Sequence, residues 1–173
     1  MSRHYSAALP IAFVLLRILV VVNIVTGVAI VALLALSPNA DWIMQAFKLS
    51  PSADTDRLIM GLRAIAVVGL CAIPLNHLLL TRLLAMVHTV RVGDPFVAAN
   101  AGRLQMIAWI LLGLQLLSLV VGGIAKAVSS AAHPLHLDAG FSPSGWLAVL
   151  LAFVLARVFA EGTLMRDDLE GTV

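Results

Sequence analysis

Long apolar runs, each broken by only a few polar residues, set the plan of this chain. The first extends from Pro10 to Leu36 and is interrupted only by Arg17, Asn23 and Thr26. It is long enough to cross the hydrocarbon of a bilayer, about 30 Å, which takes about 20 helical residues. A second run covers residues 58–80, with Arg63 near its start and Pro74 inside, and helical patterning continues past it to about Val92. The third covers about 104–126 and the fourth, the shortest, about 143–160. The first run exceeds the h-region of a signal peptide and no clear small-x-small site follows it, so it reads as a retained signal-anchor.

The intervening segments are polar. Residues 37–57 hold Pro38, Pro51 and three aspartates, with Trp42, Ile43 and Phe47 spaced as in a short helix lying on the membrane surface. Gly93, Asp94 and Pro95 predict a helix stop followed by a start, with aspartate as N-cap and proline at N1, and hence a tight hairpin. Ser142 and Pro143 repeat the N-cap and N1 signal. The expected fold is therefore all-α, a single integral membrane domain built as a bundle of four transmembrane helices.

Composition supports this reading. Of 173 residues 61% are apolar and only 12% charged, against roughly 25% charged in soluble domains. Mean hydropathy is +1.04. After four spans, no stretch remains that is long enough for a second core. The 11 basic and 9 acidic residues leave a small positive charge without the clustered cations of a nucleic-acid surface, so no direct nucleic-acid binding is expected.

Charge position carries more than the total. With both termini cytoplasmic, Arg3, Arg17, Arg82, Arg91, Arg103, Arg157 and Arg166 face inside, and Lys48, Arg57, Arg63 and Lys126 face outside. That bias follows the positive-inside rule. Trp42 and Trp146 then belong at the outer interface and Trp109 at the inner one. Arg17, Arg63 and Arg157 lie near predicted helix ends, where a long side chain snorkels to the headgroups.

Candidate chemistry is sparse. Nucleophile-elbow, P-loop and HExxH patterns are missing, and no pair of intramembrane carboxylates exists, so no enzyme is expected. No cofactor or metal site is assigned. His133, His136 and Asp138 in the outer loop have metal-capable groups but no fixed fourth ligand, and read as an ordinary solvated loop. Cys71 reads as a small buried hydrophobe, and Gly122 and Gly123 as residues that allow close helix packing. Asn76 and His77, just after Pro74, form a candidate intramembrane polar site, because proline frees a backbone carbonyl. The first reading of Asn23, Asn76, His77 and Gln115 alike is as residues that hydrogen-bond between helices.

The densest polar pattern is the expected cytoplasmic cap, about 81–103 and 161–173. Its candidate docking residues are Gly93, Asp94, Pro95, Phe96, Asn100, Arg103, Glu161, Gly162, Asp167 and Asp168. Opposite charge predicts pairing of Arg103 with the acidic stretch 167–170. The runs Gly93-Asp94-Pro95-Phe96 with Asn100-Ala101-x-Arg103-Leu104, and Phe159-Ala160-Glu161-Gly162 leading to Asp167-Asp168-Leu169-Glu170-Gly171-Thr172-Val173, resemble the bacterial membrane family catalogued as domain of unknown function 2975. The resemblance covers essentially the whole chain, and Gln105 stands where members often carry arginine. It implies a bacterial inner-membrane location and a partner, since members are often encoded beside a small helix-turn-helix transcription regulator. The expected function is regulatory or sensor-like, and the alternative is a small-solute transporter or channel component.

Overall fold

The computed structural model describes residues 8–36, 52–92, 97–129 and 137–170. They form four helices: α1 (Ala8–Leu36), α2 (Ala53–Val92), α3 (Ala98–Val128) and α4 (Pro143–Glu170). All four are long and apolar enough to cross a membrane, and no strand occurs among the described residues. The chain is an all-α, multi-pass membrane protein. The helix expected around Trp42 and Phe47 lies outside the described residues.

Local chemistry accounts for the helix starts. Ser52 caps α2: its Oγ accepts from the Thr55 amide at 3.2 Å, and Asp54 and Asp56 place negative charge in the first turn, where the helix dipole favours it. Ser142 caps α4 in the same way, accepting from the Gly145 amide at 3.2 Å, with Pro143 in the first helical position as expected. The start of α3 differs from expectation. Val97 occupies its N-cap position without a side-chain cap, so Asp94 and Pro95 precede the helix and lie outside the described residues.

The helices pack in series, α1 on α2, α2 on α3 and α3 on α4, as an open row in which non-neighbours make no extensive contact. Small residues set the close approaches. Gly27 of α1 faces Ile73 of α2, Gly61 of α2 faces Val128 of α3, and Gly145 of α4 faces Gln115 of α3. Such residues let backbones approach where lipid supplies no hydrophobic drive for association. Both flanks of α1 are exposed, and Gly27 is its only buried position among the described residues. Large side chains such as Val21, Val25 and Val28 face outward and meet hydrocarbon, not water.

These contacts fix which residues share a depth. The end of the row that carries both helix α1's start and helix α4's end is here termed the terminal end. Near it, Arg17, Arg82, Gln105 and Arg157 fall at one level; towards the other, distal end, Leu36, Arg63 and Lys126 fall at another. Arg63 and Arg82 are about 19 residues apart, or roughly 28 Å of helix. That is close to the hydrocarbon thickness of about 30 Å. The arginines within the apolar runs therefore mark the two edges of the membrane, not its middle.

The same register shifts α4 towards the terminal end. Its first turn lies opposite Gln115, about half-way through the membrane, and residues 137–142 run non-helically along α3 to reach it. Irregular backbone at that depth needs polar partners from the protein. Ser118 supplies them: its hydroxyl accepts from the Gly140 amide at 3.1 Å and donates to the Gly140 carbonyl at 3.3 Å. Gly140 adopts φ +125°, a conformation suited to glycine. Trp146, expected at the outer interface, consequently sits near mid-depth, stacked on Phe141 with centroids 6.5 Å apart. Trp109 lies about one turn inside the Arg157 level and packs edge-on against Phe153 at 5.2 Å.

Candidate functional site

The terminal end gathers the polar residues of the expected cap, and it does so around one buried amide. Asn100, in the first turn of α3, is 1% exposed. Its Nδ2 donates to Thr89 Oγ1 on α2 at 2.8 Å, and the Thr89 hydroxyl donates onward to the Met86 carbonyl at 2.7 Å. Its Oδ1 accepts from Arg103 Nη1 at 2.7 Å. The backbone closes the turn as well, with the Asn100 amide donating to the Val97 carbonyl at 2.8 Å. Burying a primary amide is unfavourable unless its donors and acceptor are used. Here they are used to clamp α2 to α3 on either side of the turn.

Of the candidate docking residues, Asn100 is therefore part of the interior, and half-buried Arg103 is directed to it. Gly93, Asp94, Pro95 and Phe96 lie outside the described residues. On α4, Glu161 pairs with Arg157 one turn earlier at 2.5 Å, an exposed i, i+4 pair. Gly162 is half-buried, and buried Thr163 donates to the Ala160 carbonyl at 2.8 Å. The α4 helix runs on through Asp167 and Asp168, whose side chains are outside the described set, so the expected pairing with Arg103 is without a described contact.

Two further features lie at this end. Gln105, Phe153, Ala156, Arg157 and Ala160 line a cleft of about 270 Å³ between α3 and α4. Phe13 of α1 takes the guanidinium of Arg17 at 5.0 Å and that of Arg91 at 5.2 Å from its ring centroid. Sequence reading singled out neither Phe13 nor Thr89. A lone aromatic or threonine in a polar or apolar run carries no signal until the neighbouring helix is placed against it.

The intramembrane candidates are separate from this end. Asn76 and His77 are half-buried near mid-depth, at the level of Asn23 and Gln115. Asn23 donates to the Ile73 carbonyl at 3.1 Å, joining α1 to α2 beside Pro74. An apolar groove of about 400 Å³ between these helices reaches Pro74 but is lined by neither Asn76 nor His77. Cys71, expected to be buried, is exposed on α2, where apolar surroundings are provided by lipid instead of by a core. Asp138 is exposed, and His133 and His136 lie outside the described residues. Among the described residues no group of three potential ligands could hold a metal ion.

Residues 28–173 match the family model described as a protein of unknown function, DUF2975. The chain belongs to this family. The matched segment takes in the Asn100 clamp and all of α2, α3 and α4, and begins within α1 after Phe13, Arg17 and Asn23. No curated protein and no solved structure matches the chain.

Proposed function

We propose that this chain is a non-enzymatic docking platform in a bacterial inner membrane, with both termini cytoplasmic, that holds a small helix-turn-helix transcription regulator at its terminal end. The observation that carries this reading is that two helices continue beyond the membrane edge. Past the arginine level, α2 runs about 10 residues and α4 about 13, or roughly 15 and 20 Å of helix. The Asn100 clamp ties the α2 projection, near its end, to the first turn of α3. The end of α4 carries Asp167, Asp168 and Glu170. An acidic, pre-formed helix complements the basic surface that a DNA-binding protein presents.

Affinity capture of the tagged chain from native membranes tests this. Recovery of a helix-turn-helix regulator with the wild type, and its loss from Asp167→Lys with Asp168→Lys at unchanged abundance, is the expected result. Capture that survives both charge reversals overturns the acidic helix as the docking element.

A second reading, a small-solute transporter or channel component, is favoured by the polar belt of Asn23, Asn76, His77 and Gln115 at one depth. Intramembrane polar residues commonly mark solute paths. Alanine substitutions that abolish a phenotype should cluster at Asn76 and His77 under this reading, and at the terminal end under the first.

A further inference from the structure

The terminal end of the α1–α2 pair is cationic and without a described carboxylate. Helix α1 contains no acidic residue, and the acids of α2, Asp54 and Asp56, are at the distal end. Arg17, Arg82 and Arg91 all lie towards the terminal end. The ion pair found there among the described residues, Arg157 with Glu161, belongs to α4, two helices away along the row. Asp94, the nearest acid in sequence, lies outside the described residues.

Helix direction brings two of these arginines together. Side chains lean towards the N-terminus of their helix. Helix α1 begins at the terminal end, so Arg17 leans from the hydrocarbon edge outward to Phe13, one turn earlier. Helix α2 ends there, so Arg91 leans from the aqueous side back towards the membrane. Both arrive at the Phe13 ring, at 5.0 and 5.2 Å from its centroid, and are therefore no more than about 10 Å from each other. Phe13 lies about one turn beyond the Arg17 level, within the headgroup layer that flanks the hydrocarbon.

Two like charges held on one ring repel each other, and a shared anion relieves the repulsion. A phosphate accepting charge-assisted hydrogen bonds from two guanidiniums holds their carbons roughly 8 Å apart, within the upper bound that the shared ring sets. We propose that Phe13, Arg17 and Arg91 form a binding site for the phosphate of an anionic phospholipid, in whichever leaflet the terminal end faces. Phe13 and Arg17 precede the segment that matches the family, whereas Arg91 lies within it. The site depends only on the chain spanning a membrane, and not on the docking function proposed above.

Lipid retention by the purified chain, measured by native mass spectrometry from mixed phosphatidylglycerol and phosphatidylcholine nanodiscs, tests the site. Wild type should retain phosphatidylglycerol preferentially, and Arg17→Gln and Arg91→Gln should each weaken that preference roughly fivefold. Arg82→Gln, on the same helix and the same membrane edge, should leave it unchanged. Equal losses from all three variants would overturn the site in favour of general surface charge. A second arm reads thermal unfolding in phosphatidylcholine alone: added inorganic phosphate should not reproduce the stabilisation given by phosphatidylglycerol. If it does, the site takes a free anion and the lipid assignment fails. Should Arg17→Gln prove unstable, Phe13→Leu removes the shared ring with no loss of charge and should lower the preference; an unchanged preference would again overturn the site.

Discussion

Asn100 donates its side-chain amide to Thr89 across the α2–α3 turn at 2.8 Å, and this single contact ties the start of one spanning helix to the end of another. Because Asn100 is buried and also receives Arg103, removing it strands partners on both sides. Asn100→Ala should destabilise the hairpin by about 1–3 kcal/mol. Thr89→Val should cost less, since only one bond is lost from the Asn100 side. Thermal unfolding in detergent reads both, and a double-mutant cycle should show coupling between them. Additive effects would mean that the two side chains act independently.

Two adjacent glycines on α3 give a sharp contrast. A Cβ on Gly122 would fall 2.7 Å from the Ala139 carbonyl oxygen and the Gly140 Cα, backbone atoms that cannot swing away. On Gly123 it would meet open space. Gly122→Ala should therefore displace segment 137–142 and lower stability. Gly123→Ala should be neutral or stabilising by up to about 1 kcal/mol through helix propensity. Equal behaviour of the two variants in an unfolding assay would refute the docking of this segment on α3.

Ser118 is the polar partner of Gly140 within the membrane, through both its amide and its carbonyl. Ser118→Ala leaves two backbone groups to find other partners, and should cost about 1–3 kcal/mol, more than the same change at exposed Ser144. Comparing the two serine variants by thermal unfolding checks this.

Orientation is tested with reporter fusions. Fusions after His88 and Val173 should be active only with a cytoplasmic reporter, and those after Lys48 and Leu137 only with a periplasmic one, given seven cations against four. The opposite pattern would invert the chain in the membrane.

At the Arg157–Glu161 pair a small effect is expected. The two side chains are exposed, so Glu161→Gln should change stability by less than about 1 kcal/mol, and by less still in high salt. A larger loss would show that Glu161 has a role at the cleft beyond this pair.

The number and type of spans could be read from sequence because the bilayer leaves few options. Backbone groups in hydrocarbon must be satisfied internally, which makes an apolar run of this length a helix. Ser52 was not singled out as a cap, whereas Ser142 was, since Pro143 beside it sharpened the signal. The break between α2 and α3 was legible in Gly93, Asp94 and Pro95, but where α3 begins was not, because Val97 has no side-chain cap to announce it.

What the sequence determined by itself, then, is four apolar helices, a match to hydrocarbon thickness and an uneven distribution of arginine. What only the tertiary structure decided is how each helix is rotated and at what height it meets its neighbour. In a soluble helix the polar face reveals the buried one, but here the lipid face and the packed face are both apolar, and periodicity cannot separate them. Hence the sequence could not show that Asn100 is interior while Arg91 reaches Phe13 on another helix, nor that Trp146 lies at mid-depth. Nor could it distinguish Gly122, pressed against backbone, from Gly123, open to space. Those facts depend on contacts between positions far apart in the chain, set by shape and hydrogen bonding where helices touch.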